Sequence, residues 1–319
     1  MNEPRALSVV LGTGPLGLAV ARQLSARGQR VRAVSRSGSG DLPDSVEIVT
    51  ANLVNKADVK RTCAGAAAVY HCASPPYHRW PELHPPMMAA IIDGAAAAEA
   101  KLIFGDNLYA YGPVDGPIVE DLPHRAAGPN GRTRARIAAD LMSAHEKGHV
   151  RAAIGRGSDF FGAHARQSVV GERVFARALA GKRAQVLGNP DVPHSVTYIE
   201  DFARALLTLG ERQEALGRAW HVPNDEPVTT RRFAEMVFEE LGRRARLQVT
   251  PRWALALAGL FDPRIRALTE QLYQVDRPWV VDSSKFERTF GWKATPLADA
   301  IRATVAWFNV SAGGGVRPG

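Results

Sequence analysis

Apolar positions in the first half of the chain recur with two alternating periods. Short β-rich runs (LSVVLG, RVRAVS, VEIVTANL, AVYHCAS, KLIFGDN and VRAAIGRG) are separated by stretches with helical spacing. Those stretches are GLAVARQLSARG, KADVKRTCAG, PELHPPMMAAIIDGAAAAE and RTRARIAADLMSAHEKG. Strands alternating with helices predict a parallel sheet covered on both faces, a doubly wound α/β domain over residues 1–163. Beyond it helices, short strands and proline turns mix, as in SVVGERVFARALAG and AWHVPNDEPVTTRRFAEMVFEELG. That change predicts a smaller, mainly substrate-binding C-terminal α+β domain over 164–311, with the chain returning to the first domain near 194–210. WALALAGLF (253–261) reads as a buried helix, and 312–319 as a disordered tail.

Composition narrows the class. A chain of 319 residues with 45% hydrophobic and 23% charged residues can bury a large core in one or two domains. The net charge of +8 comes almost wholly from arginine, 33 against seven lysines. The arginines are scattered, with no block of five, so they read as solvated helix faces plus a few available to an anionic ligand. A nucleic-acid interface is not expected. Cys63 and Cys72 form no CxxC, which argues against a disulfide framework or a zinc–thiolate site. No apolar run approaches eighteen residues, and MNEPRALSVV leads straight into a strand without room for a signal peptide. The expectation is a cytoplasmic protein that does not engage a membrane.

The most informative chemistry lies at the first strand–helix junction. Gly12-Thr13-Gly14-Pro15-Leu16-Gly17 is a GxGxxG turn placed between a strand and a helix. In that context Gly12 permits the tight turn, Gly14 lets the backbone approach a pyrophosphate, and Gly17 lets helix and strand pack closely. The helix N-terminus then faces the phosphates. This is a Rossmann-type dinucleotide cradle. At the end of the second strand Ser35 stands where an NAD-binding chain would carry an acid for the ribose 2′-OH, and Arg36 follows. A guanidinium can pair with a 2′-phosphate and stack on adenine, and Ser35 adds a hydroxyl, so NADP(H) is favoured over NAD(H).

Further segments carry a resemblance. They are Asn52-Leu53 after the third strand, His71-Cys72-Ala73 ending the fourth, Tyr111-Gly112 after the fifth, and RGSDFFG (156–162) ending the sixth. To these add HSVTYIEDFA (194–203) and the C-terminal VDSSKFERTFGWKATPLADAIRATVAWF. In order and spacing the chain resembles, over residues 6–308, the extended short-chain dehydrogenase/reductase superfamily of NAD-dependent epimerase/dehydratase type. The resemblance implies that Asn52, Leu53, Cys72, Ala73 and Ser74 contact the cofactor. It also implies that many relatives pair through two long helices, here 86–100 and 133–147, which makes a homodimer a further expectation.

The departures bear on activity. The superfamily uses Ser/Thr with Tyr-x-x-x-Lys, and none of the six tyrosines here has a lysine four residues on. Counted from Gly112, the Tyr and Lys places fall near Arg132 and Arg136, and the Ser place near Asn107. Arginine cannot shuttle a proton. Arg136 could hold the ribose hydroxyls, and Asn107 could orient a carbonyl. Tyr109, two residues after Asn107 and on its side of an extended stretch, is the leading substitute acid, with Arg132 or Arg136 supplying a supporting charge. Tyr111 reads as a packing residue. Tyr77 and Trp80 in the loop PPYHRW, with Asp159, Phe160 and His194, are candidate substrate contacts; the alternative for Trp80 is packing beneath that loop. His145-Glu146-Lys147-Gly148-His149 matches HExxH, but Gly148 stands where the helix should end, so no metal site is expected.

These residues together imply an NADP(H)-dependent oxidoreductase with an atypical site, acting on a small-molecule carbonyl, imine or alkene. The missing tyrosine–lysine pair leaves two alternatives open: a non-catalytic NADP(H)-binding sensor or scaffold, and a sugar-nucleotide epimerase or dehydratase.

Overall fold

The computed structural model describes residues 6–258, 260–261 and 269–313. The chain divides into two compact units. The first comprises Met1–Gly112, Glu120–Gly157 and Phe202–Val222; the second comprises Pro113–Val119, Ser158–Asp201 and Pro223–Gly319. The first unit thus ends at Gly157 rather than 163, and its returning segment is 202–222 rather than 194–210. The physical reason is strand pairing: residues 196–198 pair inside the second unit, whereas 219–221 extend the sheet of the first.

That sheet contains β1 (Leu7–Leu11), β2 (Arg30–Ser35), β3 (Val46–Thr50), β4 (Ala66–His71), β5 (Lys101–Asp106), β6 (Arg151–Arg156) and Ala219–His221. In space the last strand lies outside β6, followed by β5, β4, β1, β2 and β3, and every pairing is parallel. β1 is buried at all five positions, as a strand covered on both faces must be. The strand order reverses between β1 and β4, which places a crevice at their carboxyl ends.

The helices α1 (Pro15–Ala26), α2 (Lys56–Cys63), α3 (Trp80–Ala97) and α4 (Pro129–Glu146) follow strands as the periodicity predicts. α4 buries Asn130, Thr133, Arg134, Ile137, Ala138 and Leu141, an i, i+3, i+4, i+7 stripe. Ile137 and Leu141 join Val9, Leu102, Phe104 and Ile91 in one core cluster. Gly148 ends this helix with φ 72°, and His149 lies beyond it.

The second unit is built around stacked rings. Phe161 and Phe175 centroids lie 6.1 Å apart, and those of Phe175 and Phe308 5.5 Å apart. The helix Thr230–Glu240 adds Phe233, Val237 and Phe238 to this core, and Thr229 caps it by accepting from the Arg232 N–H. The 253–261 segment departs from expectation. A helix forms over Arg252–Ala258, yet Trp253 is 70% and Leu257 54% exposed, as are Leu260 and Phe261 after it. It follows the two-stranded sheet Leu247–Thr250 with Ala184–Leu187, and these apolar side chains stay uncovered among the described residues. The C-terminal helix runs over Leu297–Gly313, and residues 314–319 lie outside the described residues. No described helix is long and apolar enough to cross a membrane.

Candidate functional site

The glycine turn forms at the end of β1. Gly12 has φ +102°, a left-handed conformation that favours glycine, and a side chain there would meet Ala73 Cα at 2.8 Å. A methyl on Gly17 would fall on the Gly12 carbonyl oxygen. Gly14, by contrast, is exposed with no atom within 4 Å of its missing Cβ. It caps α1 without any side chain on the helix N–H groups, Pro15 takes the first helical position, and no acid occupies the first turn. Thr13 Oγ1 donates to the Ser39 carbonyl at 3.2 Å, closing the loop after β2 over the turn. These features fit a diphosphate: a backbone open at Gly14, a free positive helix end, and close packing at Gly12 and Gly17. Leu16 is buried beneath the turn.

Around this turn the other cofactor candidates gather at the strand ends. Cys72 N–H donates to the Leu11 carbonyl at 2.9 Å, so Cys72, Ala73 and Ser74 leave β4 beside Gly12. Ser35 is buried; its hydroxyl donates to the Ser39 carbonyl and accepts from the Ser39 N–H, both at 3.2 Å. Arg36 is exposed and makes no ion pair or hydrogen bond among the described residues. Asn52 is exposed; its Oδ1 accepts from the Val54 N–H, while its backbone N–H donates to Asp58 Oδ2. Leu53 belongs to the core cluster.

A second constellation lies at the ends of β5 and β6. Asp106 is fully buried and faces two guanidiniums, Arg134 at 3.2 Å and Arg156 at 3.3 Å. One carboxylate against two cations leaves a positive charge in excess. Arg134 lies 4.2 Å over the Trp80 ring and 5.7 Å from Phe104, and its buried Nε has no partner. Burial pulls the Arg134 pKa down, and Asp106, Tyr109 and Tyr77, in that order, push against it. Burial also works against charge on Arg156, but Tyr111 and Asp106 outweigh it and hold its pKa above the ordinary value. Arg156 donates to Tyr111 Oη at 2.7 Å, and that oxygen lies 2.9 Å from His221 Nε2. Burial raises the Tyr111 pKa, and its bonds with Arg156 and His221 tie the strands together.

Tyr109 is half-buried, its ring 5.9 Å from Trp80 and 6.3 Å from Tyr77. Residues 109–111 form a 3-10 turn rather than the extended stretch expected, because Asn107 Oδ1 accepts from the Tyr109 N–H at 3.1 Å. That bond uses the Asn107 carbonyl and leaves its amide N–H₂ as donor. The supporting cation is also not the expected one. Arg132 is exposed and donates to the Ala127 carbonyl, and Arg136 is exposed beside Asp140 at 3.7 Å. The buried guanidinium on this helix is Arg134, not singled out from the sequence; it lies over the Trp80 ring that Tyr109 also meets. The helical stripe held the signal, since 134 shares a face with 130, 137, 138 and 141, whereas 132 and 136 turn outward. Trp80 packs under its loop, donating Nε1–H to the Pro75 carbonyl at 3.1 Å. Tyr77 is half-buried against it, 4.6 Å between centroids.

In the second unit Asp159 and His194 come together. His194 Nε2 lies 3.1 Å from Asp159 Oδ2, and Nδ1 lies 3.1 Å from the Gln274 carbonyl. Both ring nitrogens therefore face oxygens. The pair lines a narrow recess of about 20 Å³, room for about one water, otherwise walled mainly by valines and Phe233. Phe160 is half-buried on the same strand (Asp159–Phe161).

Comparison with known proteins gives the lineage. The profile of the NAD dependent epimerase/dehydratase family matches residues 9–222. The chain belongs to that family. Lacking Tyr-x-x-x-Lys, it is an atypical member of the extended short-chain dehydrogenase/reductase superfamily. It is 27% identical over 269 residues to the mouse (Mus musculus) sterol-4-alpha-carboxylate 3-dehydrogenase, decarboxylating, covering 79% of this chain and 73% of that protein. The human (Homo sapiens) protein of that name is 25% identical over 268 residues, covering 79% and 71%. Among solved structures, a UDP-glucuronic acid 4-epimerase from Bacillus cereus in complex with NAD superposes with a TM-score of 0.79 at 16% identity, covering 96% of this chain and 99% of that one. That likeness shows the fold.

Proposed function

We propose that the chain is an NADP(H)-dependent oxidoreductase that reduces a small carbonyl, imine or activated alkene, or oxidises the corresponding reduced partner in the reverse direction. The observation that carries this reading is the open glycine turn with an unpaired Arg36 at the end of β2 and no acid at Ser35. In it Gly12–Gly17 would hold the diphosphate, and Arg36 and Ser35 would recognise the 2′-phosphate. Bound NADP(H) supplies hydride exchange at nicotinamide C4.

Tyr109 is the proposed proton donor. Arg134, buried and only partly neutralised by Asp106, stabilises negative charge developing on the Tyr109 oxygen, the part that lysine plays in typical relatives. Asn107 orients a carbonyl through its amide. Arg134 acts through Tyr109 and is a positioning residue. The mouse and human relatives, dehydrogenases by name, favour oxidoreductase chemistry over the sugar-nucleotide alternative. A binding-only sensor is the second reading, favoured by the missing tyrosine–lysine pair.

The test is NADPH oxidation followed at 340 nm with a panel of ketones, imines and enones. Tyr109→Phe should lower kcat by about 10²–10⁴-fold, the usual worth of a general acid, with nucleotide affinity unchanged. Unchanged turnover in the variant removes Tyr109; no turnover of any substrate by a protein that binds NADPH leaves the sensor reading.

A further inference from the structure

The second unit contains a larger space that the proposed reaction does not use. The loop Arg166–Ser168, one face of the helix from Gly171 to Leu179, Lys182 and Gln185 line an open cleft of about 560 Å³. Arg166, Arg173, Arg177 and Lys182 face it against one carboxylate, Glu172. Arg173 and Lys182 pair with no carboxylate among the described residues.

The cleft is built rather than a chance gathering of surface arginines. The Arg166 guanidinium is seated 5.2 Å over the Trp307 ring and 5.4 Å from Phe308. Its backbone is fixed as well, since the Glu172 N–H donates to the Arg166 carbonyl at 2.8 Å. Any side chain at Gly171 would strike the Ala165 and Arg166 carbonyls. Gly171–Ala176 is a π-helix, a form that is rare and concentrated at functional sites. Arg177 is held by its Nε–H on the Arg183 carbonyl at 2.6 Å, leaving its terminal N–H groups for a ligand. Ala176 and Ala180 keep the floor open between the cations.

From this geometry we infer that the cleft binds a phosphate-bearing small molecule, the arginine forks taking phosphoryl oxygens and Lys182 adding a point charge. Gln185 lines both this cleft and the Asp159–His194 recess, so an occupant would touch a wall of that recess.

Calorimetric titration of the full chain, saturated with NADPH to fill the glycine turn, tests this with inorganic pyrophosphate as probe. Pyrophosphate should bind in the wild type. Affinity should fall about tenfold or more in R173Q/R177Q, a smaller amount in K182Q, and stay unchanged in R212Q, a cation elsewhere on the surface. Circular dichroism melting checks that each variant is folded; should the double variant not fold, K182Q, at an exposed position, carries the test alone. Absence of binding to the wild type, retention in folded R173Q/R177Q or in K182Q, an equal loss in R212Q, or binding of citrate as tight as pyrophosphate would each overturn the inference.

Discussion

Replacing Asp106 by alanine should be among the most destabilising single changes in the first unit. The carboxylate is fully buried and is the described partner of two buried guanidiniums, at 3.2 and 3.3 Å. Truncation leaves Arg134 and Arg156 charged, desolvated and close together. Removing one partner of a buried ion pair costs about 3–5 kcal/mol, chiefly because the remaining charge has lost its compensation. For a unit of about 170 residues, 1 kcal/mol moves the melting temperature by about 2–4 °C, so the expected fall is about 6–20 °C. Asp106→Asn keeps an acceptor but not the charge and should fall between. The control is Asp140→Ala, which removes the exposed partner of Arg136 at 3.7 Å and should change stability by no more than about 0.5 kcal/mol. Melting is followed by far-UV circular dichroism at one pH and salt concentration. A shift for Asp106→Ala no larger than that for Asp140→Ala would refute the reasoning, because it would mean that the guanidiniums reach water or other partners.

Other consequences follow from the same geometry. Gly17→Ala places a methyl on the Gly12 carbonyl, so the turn must shift: nucleotide binding, read by NADPH fluorescence, should be abolished, and the melting temperature should fall as well. His71 is fully buried with both ring nitrogens unpaired; burial, then Arg134, lowers its pKa from 6.5 to about 3. The unfolded chain therefore takes up this proton first as pH falls, and stability present above about pH 6.5 is lost progressively toward pH 3. One pKa unit is 1.36 kcal/mol, so the loss is a few kcal/mol. His71→Phe, which keeps the stack on Phe104, should flatten the urea-midpoint-against-pH curve over that range. His84, whose pKa burial also lowers, leaves part of the slope in place, but an unaltered curve would contradict the assignment.

Much of the sheet was legible because parallel strands are written as contiguous apolar runs and their helices as 3.6-residue stripes. The glycine turn was legible because its residues act through the backbone, so identity and spacing suffice. The Tyr109 environment was less so. Counting from Gly112 pointed to Arg132 and Arg136, but a helix presents only one face, and the wheel puts Arg134 inward. Asn107 also escaped the period-2 reading, since an asparagine two residues before an N–H can accept from it and turn the chain. Asp106 and Arg156 became significant only when parallel pairing set them side by side. WALALAGLF misled because hydropathy specifies a preference for burial without specifying a partner.

The most direct test of the account is a fluorescence titration of the wild type and Arg36→Ala with NADPH and NADH. The wild type should prefer NADPH. Arg36→Ala should weaken NADPH by about 10–100-fold, the worth of a charge-assisted bond to phosphate, while leaving NADH unchanged. Absence of binding by either nucleotide, or equal affinities untouched by the substitution, would contradict the account.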